Sequence, residues 1–239
     1  MCGICGISNL QLQPLTHADC IDTMAARLFH RGPDSGGKFQ LPHLALGIRR
    51  LSIIDLETGD QPLSNETGEI TLVFNGEIYN YRELCRELQE RGHHLKTHSD
   101  GEAIIHLYEE RGVDCLRELN GMFALALWDN RAKRLVLARD RAGEKPLYYW
   151  CDGHTLVFGS EIKSLFEYPG ISRAIDPVAI SQYFFYGYFP NPNSVYAGIK
   201  KLPAAHFMVV EEGGIHIDAY WRPREYLRSP AWERHFGRG

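Results

Sequence analysis

The sequence lacks long apolar runs and long basic runs. No stretch approaches the roughly 20 apolar residues that a transmembrane helix needs, and the N-terminus has neither the basic segment nor the apolar core of a secretory signal. The positive residues form no extended run and the formal net charge is −4, so nothing resembles an electrostatic footprint for nucleic acid. We therefore expect a cytoplasmic protein that binds neither membranes nor nucleic acid.

Paired cysteines are also scarce. A zinc knuckle normally needs two C-x-x-C pairs, and the chain has one, formed by Cys2 and Cys5. In a strand these two side chains point to opposite faces, which argues against a shared ligand. We predict that Cys5 is a core residue and that the protein binds no metal. The other cysteines are scattered singly along the chain: Cys20, Cys85, Cys115 and Cys151.

Three neighbouring histidines offer an alternative metal cluster. His93, His94 and His98 occupy a polar turn, and the sequence implies no carboxylates behind them to orient the rings. We interpret them as surface histidines.

The composition is that of a globular protein, with 44% hydrophobic and 23% charged residues and no internal repeat. Periodicity predicts a chain rich in strands, with helices in pairs, typical of a mixed α and β sandwich of one domain. Residues 30–37 are predicted to be a loop, and 222–239 an Arg-rich tail. The predicted strands cover 2–8, 43–54, 70–74, 121–129, 134–140, 146–150, 155–160, 205–210 and 214–221. The predicted helices cover 18–29, a segment from Ile78 to the stop signal at Gly92, 102–111, 160–168 and 176–189.

The opening stretch MCGICGI raises the first functional candidate. If Met1 is removed, Cys2 carries a thiol and a free α-amine on one residue, which places a nucleophile beside a base with a pKa of about 8. The alternative is a terminal cysteine of no consequence, and position alone does not decide between the two.

The segment NGEIYNY supplies a second candidate. An Asn-Gly pair usually forms the tip of a hairpin, but here the following residues predict a helix. Asn75 and Gly76 would then lie where a strand meets a helix. A carboxamide and a glycine N–H at such a junction suit an oxyanion hole, which needs donors aimed at developing negative charge.

Two charged residues complete the candidate site. Arg49 and Arg50 are adjacent in a predicted strand and so face opposite ways, which leaves one free to bind a carboxylate through its planar fork. Asp100 precedes a predicted helix and is either an N-cap or a partner for a substrate ammonium group. Surface ion pairing is the alternative for both arginines. Together, Arg50 and Asp100 would recognise an amino acid by its two charged ends.

Seven motifs in order carry a family resemblance: MCGI, HRGPDS, RLSIID, NGEIYNY, SDGE, RDRAGEKPLYY and GSEIKSL. Over about residues 1–221 the chain resembles the glutaminase domain of glutamine-hydrolysing asparagine synthetases. The resemblance implies a class II glutamine amidotransferase domain over 1–221. It also implies an α+β fold, the four-layer αββα sandwich of the N-terminal nucleophile hydrolases, with 222–239 left as a tail without an assigned domain.

The resemblance also implies the roles of individual residues. Cys2 would be the nucleophile, and Asn75 and Gly76 the oxyanion hole. Arg50 would bind the α-carboxylate of glutamine, and Asp100 its α-amine. The remaining pocket residues would be Leu51, Ile53, Ile54 and Glu77. No cofactor or metal is expected for this half, because ATP and Mg²⁺ would belong to a synthetase domain.

The chain departs from the family pattern at several points. Ala142 and Glu144 replace the Phe and Ile of a usual F-G-I-K-P loop, and Gly101 stands where threonine is common. No S-G-G-x-D-S loop for ATP is present, so we expect the synthetase domain to be missing and to act, if at all, as a separate domain or subunit. The expected activity is hydrolysis of glutamine to glutamate and ammonia. The alternatives are a glutaminase subunit that feeds a different acceptor and a non-catalytic remnant.

Overall fold

The computed structural model describes residues 1–56, 58–212 and 214–224, so residues 225–239 of the predicted tail lie outside the described part. Within that part, no helix combines the length and apolar character required to cross a bilayer. The strands are β1 (Gly3–Asn9), β2 (Ser35–Leu41), β3 (Leu44–Arg50), β4 (Leu63–Ser64), β5 (Ile70–Ile78), β6 (Gly121–Asp129), β7 (Arg134–Arg139), β8 (Tyr148–Cys151), β9 (Thr155–Gly159), β10 (Lys200–Lys201), β11 (His206–Glu211) and β12 (Gly214–Ala219). The α-helices are α1 (Cys20–Ala26), α2 (Tyr81–Glu90), α3 (Gly101–Arg111), α4 (Ile162–Leu165) and α5 (Pro177–Tyr186), and a 3-10 helix spans Gly112–Arg117.

The strands form two six-stranded sheets in which neighbours run antiparallel. The first sheet has the order β10-β8-β9-β1-β3-β2, and the second has the order β12-β11-β7-β6-β5-β4. The central strands β1 and β6, one in each sheet, are almost entirely buried. A strand buried on both faces reads as a continuous apolar run, which is why the alternating pattern is absent from GMFALALWD.

Three apolar clusters show how the layers stack. Side chains of both sheets meet in one cluster, with Ile4 and Phe158 from the first sheet and Val73 and Leu137 from the second. A second cluster packs α1 and α4 on the outside of the first sheet, and a third packs α2 and α3 on the outside of the second. The result is the predicted four-layer αββα sandwich.

Two details of the sequence interpretation are confirmed at the residue level. Asp176 caps α5 by accepting hydrogen bonds from the backbone N–H groups of Val178 and Ala179, and Pro177 opens the helix. Cys2 packs against the cluster between the sheets, whereas Cys5 lies in the cluster beneath α1, so the two face opposite ways. Burial raises the pKa of the Cys5 thiol far above its usual range, as expected for an inert core residue.

Several predicted boundaries are wrong, and those of the strands are wrong because strand pairing overrides local signals. Strand β5 continues to Ile78, where it pairs with Gly121, and α2 begins only at Tyr81. Asn75 and Gly76 therefore lie within a strand and not at a strand-to-helix junction. Residues 35–37 belong to β2 because they pair with β3, and β3 itself ends at Arg50, short of the predicted residue 54. The helices predicted over 18–29 and 160–168 shrink to the short α1 and α4.

Candidate active site

One cavity lies between the edges of the two sheets. It gathers every residue that the sequence suggested for the site: Cys2, Arg50, Leu51, Ile53, Ile54, Asn75, Gly76, Glu77 and Asp100. The structure therefore brings the candidates together, while their roles stay predictions. The cavity also includes residues that the sequence did not suggest: Met1, Gly59, Gln61, Phe74, Ser99, Met122 and Lys145.

Cys2 stands immediately before β1, at the wall formed by the first sheet. Its Sγ lies 3.4 Å from the backbone nitrogen of Leu51 and 3.6 Å from the carbonyl oxygen of the same residue. The Leu51 N–H can therefore donate a hydrogen bond to the sulfur, and these two contacts fix the position of the sulfur at the cavity wall. The carbonyl oxygen of Cys2 accepts a 2.8 Å hydrogen bond from Nε of Arg31, so the backbone of the residue is fixed as well.

Arg31 belongs to the HRGPDS motif and was not identified as a site residue from the sequence. Its guanidinium also donates to Glu161 at 3.0 Å, and Glu161 accepts a further contact from His30 at 2.9 Å. Partial burial opposes the charge of Glu161, but hydrogen bonds from Arg31, His30 and Lys163 lower its pKa to about 2. This ion-paired group holds Arg31 in place and, through it, the backbone of Cys2.

Strand β5 presents Gly76 to the cavity along its edge. The backbone N–H groups of Phe74 and Ile78 donate to Oε1 of Gln61 and Oδ2 of Asp100, respectively. Alternate residues of an antiparallel strand direct their N–H groups to the same side, so the Gly76 N–H points to that edge too. The pairing with β6 gives the same result. Phe123 lies opposite Gly76, and its backbone N–H and carbonyl both bond to Asp140, on the side away from β5.

Asn75 is buried, and its Nδ2 has no hydrogen-bond partner among the described residues. An unpartnered buried amide donor costs about 1–3 kcal/mol, so such a group is uncommon in a folded protein. Nδ2 of Asn75 and the N–H of Gly76 are thus two donors without acceptors on consecutive residues of the cavity wall. This is the arrangement that an oxyanion needs.

The two adjacent arginines diverge as predicted. Arg49 turns away from the cavity and donates to the carbonyl of Gly32, whereas Arg50 is buried against the cavity. The guanidinium of Arg50 donates to Asp60 at 2.8 Å and to the carbonyl of Ile54 at 3.0 Å. Asp60 is mostly exposed, so water also reaches the carboxylate side of this ion pair.

Asp100 precedes α3 but makes no capping hydrogen bond to it. Its carboxylate accepts the Ile78 N–H at 2.8 Å and faces the cavity. Burial raises the pKa of Asp100 to about 6, helped by the nearby charge of Glu77 and only partly offset by its hydrogen bonds. A carboxylate in this state gains strongly from a cationic partner, which the protein itself does not supply among its described ion pairs.

The remaining predicted residues form the rim. Leu51, Ile53 and Ile54 lie on the irregular segment after β3, and Ile53 is 59% exposed. Glu77 follows Gly76 on β5 and is half-buried. These side chains shape the opening of the cavity and carry none of its buried donors.

Lys145 is a buried lysine at the cavity, with its Nζ 3.2 Å from Sδ of Met1. The loop that carries it is organised by Asp140, whose carboxylate accepts hydrogen bonds from the backbone N–H groups of Ala142, Glu144 and Lys145. Ala142 and Glu144 are the two departures from the usual loop sequence. Both are exposed, and the loop uses their backbone only, so the substitutions leave its hydrogen bonds intact.

The third departure, Gly101, has a steric reason. A Cβ at this position would lie 2.4 Å from Cδ1 of Leu63 and 2.9 Å from Cε1 of Phe74. Leu63 thus fills the space that a threonine side chain would need.

Comparison with known proteins identifies the family. A sequence profile of the glutamine amidotransferase domain matches residues 1–221. The chain belongs to the glutamine amidotransferase domain family. The region matched by the profile includes both sheets and every residue of the cavity.

Relatives of this amidotransferase domain are longer proteins. Asparagine synthetase [glutamine-hydrolyzing] 3 of Bacillus subtilis is 37% identical over 224 residues, which cover 92% of this chain and 36% of the relative. Asparagine synthetase [glutamine-hydrolyzing] 2 of the same organism is 40% identical over 218 residues, covering 88% of this chain and 29% of the relative. The chain therefore spans about a third of the length of these curated relatives.

A solved structure shows the same fold for the domain. Glutamine phosphoribosylpyrophosphate amidotransferase from B. subtilis matches with a TM-score of 0.65 at 19% identity, over 92% of this chain and 49% of that one. This similarity is one of fold, at low sequence identity.

Proposed function

We propose that this amidotransferase domain hydrolyses glutamine to glutamate and ammonia, with Cys2 as an N-terminal nucleophile. One observation carries the proposal: a thiol, two unpartnered donors and a buried carboxylate of raised pKa line the same cavity. The set contains what amide hydrolysis through a thioester needs, namely a nucleophile, an oxyanion site and a site for the substrate ammonium.

Removal of Met1 is the first step that the proposal requires. Met1 lines the cavity, and its sulfur lies against Lys145, so its loss enlarges the cavity and frees the α-amine of Cys2. With a pKa of about 8, that amine is a base close to neutral pH. It takes the proton of the Cys2 thiol, directly or through a water, and the thiolate becomes the nucleophile.

The chemical steps follow from the positions of the donors. The Cys2 thiolate attacks the side-chain amide carbon of glutamine, and the carbonyl oxygen becomes an oxyanion held by Asn75 Nδ2 and the Gly76 N–H. The protonated α-amine gives its proton to the leaving nitrogen, and the C–N bond breaks to release ammonia and leave a γ-glutamyl thioester. Water, deprotonated by the same amine, then attacks the thioester, which releases glutamate and restores the thiol.

Recognition of glutamine relies on its two charged ends. Asp100 pairs with the α-ammonium group, which relieves the cost of its buried charge. Arg50 binds the α-carboxylate, which replaces the exposed Asp60. These two residues bind only the α-ammonium and α-carboxylate groups of glutamine, so its side-chain amide is available to Cys2.

The test is glutamate release by the purified chain, with mass spectrometry to establish whether Met1 is absent. Cys2→Ala should abolish release and leave the melting temperature close to that of the parent. Cys20→Ala is the matched control, because Cys20 is also half-buried but does not line the cavity, and it should retain activity. Release by Cys2→Ala, or none from a chain that has lost Met1, would contradict the proposal.

We further propose that the ammonia passes to a synthetase domain or subunit of the asparagine synthetase type. The support is the length of the relatives, of which this chain spans about a third. On this proposal the chain alone does not form asparagine, and ATP and Mg²⁺ act in that partner and not at this cavity.

We also propose that the protein works in the cytoplasm. The structure pairs none of its six cysteines, and Cys2 needs a free thiol for the chemistry above. A reducing compartment keeps such thiols available.

A further inference from the structure

A second group of chemically active side chains lies away from the cavity. It is formed where the turn between β4 and β5, the connection from α2 to α3, and α3 itself meet. Glu66, His93 and His106 each direct one potential ligand atom into this place, and these atoms lie within 4.8 Å of one another. Glu102 and Glu109 adjoin them. We call these five residues the histidine cluster.

His106 is the centre of the histidine cluster and is almost fully buried. Its Nε2 lies 3.1 Å from Oε2 of Glu102, which is itself buried. Its Nδ1 lies 2.7 Å from Glu109 Oε2 and 3.8 Å from Glu66 Oε2. One ring nitrogen is thus held by an inner carboxylate while the other faces the outer members. Metal-binding histidines are typically oriented this way, with a carboxylate behind the ring.

His93 closes the outer side of the cluster. Its ring centre lies 4.9 Å from that of His106, and its Nδ1 lies 3.7 Å from Glu109 Oε2. A tetrahedral zinc ion with ligand bonds of about 2.0–2.2 Å separates its ligands by roughly 3.3–3.5 Å. The observed separations of 2.7, 3.7 and 3.8 Å bracket that value, so modest side-chain adjustment would seat an ion.

The negative charge of its carboxylates also favours binding of a cation by the histidine cluster. Within the described ranges, the ion pairs of Glu66, Glu102 and Glu109 all go to histidines and none to Lys or Arg. Three carboxylates therefore converge on the two imidazoles, and a fourth, Glu110, lies 3.2 Å from Nε2 of His93 and is also paired with Arg91.

We propose that His93, His106, Glu66 and Glu109 bind a divalent metal ion of the zinc class, with Glu102 as the residue that orients His106. Mixed imidazole and carboxylate donors suit Zn²⁺, whereas Mg²⁺ and Ca²⁺ prefer oxygen ligands alone. The ion would join three segments distant in sequence at the helix that begins next to Asp100. Its role is structural, since none of the ligands lines the catalytic cavity.

This proposal departs from the expectation that the protein binds no metal. The sequence grouped His93 with His94 and His98, which the structure leaves exposed. The partner that matters, His106, lies on α3, and the carboxylates that seemed to be missing are on the same helix.

Zinc chloride alone is the probe, titrated by calorimetry into the full chain with Cys2→Ala as background so that the cavity thiol does not compete. We expect one equivalent to bind and to raise the melting temperature, because the ion binds the folded state selectively. His93→Gln and Glu66→Gln should each weaken binding at least about tenfold. His94→Gln is the matched control in the same turn and should bind as the background does.

Glu66 is exposed and His93 is half-buried, and a melting curve without zinc checks that each variant folds. Magnesium chloride should produce no heat and no shift. Absence of zinc binding by the background protein would overturn the proposal. So would equal affinity of the background, His93→Gln and Glu66→Gln, since zinc would then be bound by other groups such as the remaining thiols.

Discussion

The side-chain amide of Asn75 illustrates how function appears at the scale of one residue. Its nitrogen is buried without an acceptor, next to a glycine whose N–H faces the same cavity. A protein gains nothing in stability from such a donor. The unsatisfied amide makes sense when an oxyanion forms in front of it during the reaction, as proposed here.

Replacement of Asn75 should therefore separate activity from stability. We expect Asn75→Ala to lower kcat by about 100- to 1,000-fold while the free energy of unfolding changes little, since no hydrogen bond of Nδ2 is lost. Asn80→Ala is the contrasting variant, because Asn80 bonds through both side-chain atoms to Glu118 and Asn120. It should lose about 1 kcal/mol of stability and keep kcat. Glutamate release and thermal melts measure both; equal effects of the two variants would count against an oxyanion role.

The pKa of Asp100 gives a pH prediction. Because burial raises this pKa to about 6, the carboxylate becomes protonated as the pH falls through 6 and can no longer pair with the ammonium group of glutamine. We expect the decline of kcat/KM with falling pH to steepen below about pH 6, mainly through KM. Asp100→Asn should lower kcat/KM about 30-fold or more, equivalent to about 2 kcal/mol, and should lose the steepening. A parent profile without that extra slope would show that Asp100 does not bind the substrate.

Strand β5 is the element on which the site depends most. Along its edge, the backbone N–H groups of Phe74 and Ile78 donate to the side chains of Gln61 and Asp100. The N–H of Gly76 lies between these two and faces the same side. Close pairing with β6 holds that edge in position: a Cβ on Gly76 would lie 2.1 Å from the carbonyl oxygen of Met122. The glycine is required because the backbone of β6 occupies the space of a side chain.

Gly76→Ala should push β5 away from β6 and displace both the Gly76 N–H and Asn75. We expect a loss of about 1–3 kcal/mol in stability together with a large fall in kcat in the protein that remains folded. Gly6→Ala is the matched control, since a Cβ there would lie 2.3 Å from the Phe158 ring in the core and outside the cavity. It should lower the melting temperature and retain kcat. Unchanged kcat in folded Gly76→Ala would exclude the N–H from the mechanism.

At the scale of the whole molecule, the proposed active site is divided between the two sheets. Cys2 directly precedes β1 and Arg50 ends β3, both of the first sheet, whereas Asn75 and Gly76 belong to β5 of the second. The apolar cluster between the sheets therefore fixes the distance from the proposed nucleophile to the proposed oxyanion donors. On the outside, α5 exposes a run of aromatic side chains: Tyr183, Phe184, Phe185 and Tyr186.

This aromatic surface predicts how the isolated chain behaves. Phe184 and Phe185 are 83% and 81% exposed, and such patches promote association. We expect the purified chain to self-associate as its concentration rises, and Phe184→Ser with Phe185→Ser to remove that tendency without changing glutamate release. Sedimentation velocity measures the first effect and the glutamate assay the second. If the sedimentation coefficients of the parent and the double variant depend on concentration in the same way, this surface does not cause self-association.

Local pattern was sufficient where neighbours in sequence decide the outcome. The capping of α5 by Asp176, the opposite orientations of Arg49 and Arg50, and the uninterrupted apolar strand β6 follow from side-chain chemistry and strand alternation. The family and nine of the sixteen residues that line the cavity were also predicted, through the family resemblance that the motifs carry.

Tertiary structure alone decided what depends on partners distant in the chain. The pairing of Ile78 with Gly121 extended β5 beyond its predicted end and so placed Asn75 and Gly76 inside a strand, because backbone pairing outweighs the local turn signal of Asn-Gly. Burial by neighbouring elements, which no spacing encodes, set the pKa of Asp100 and left Asn75 Nδ2 without an acceptor. In the same way, the packing of the α2–α3 connection on α3 brought His93 to His106, since contacts across distant segments arise only when the chain folds.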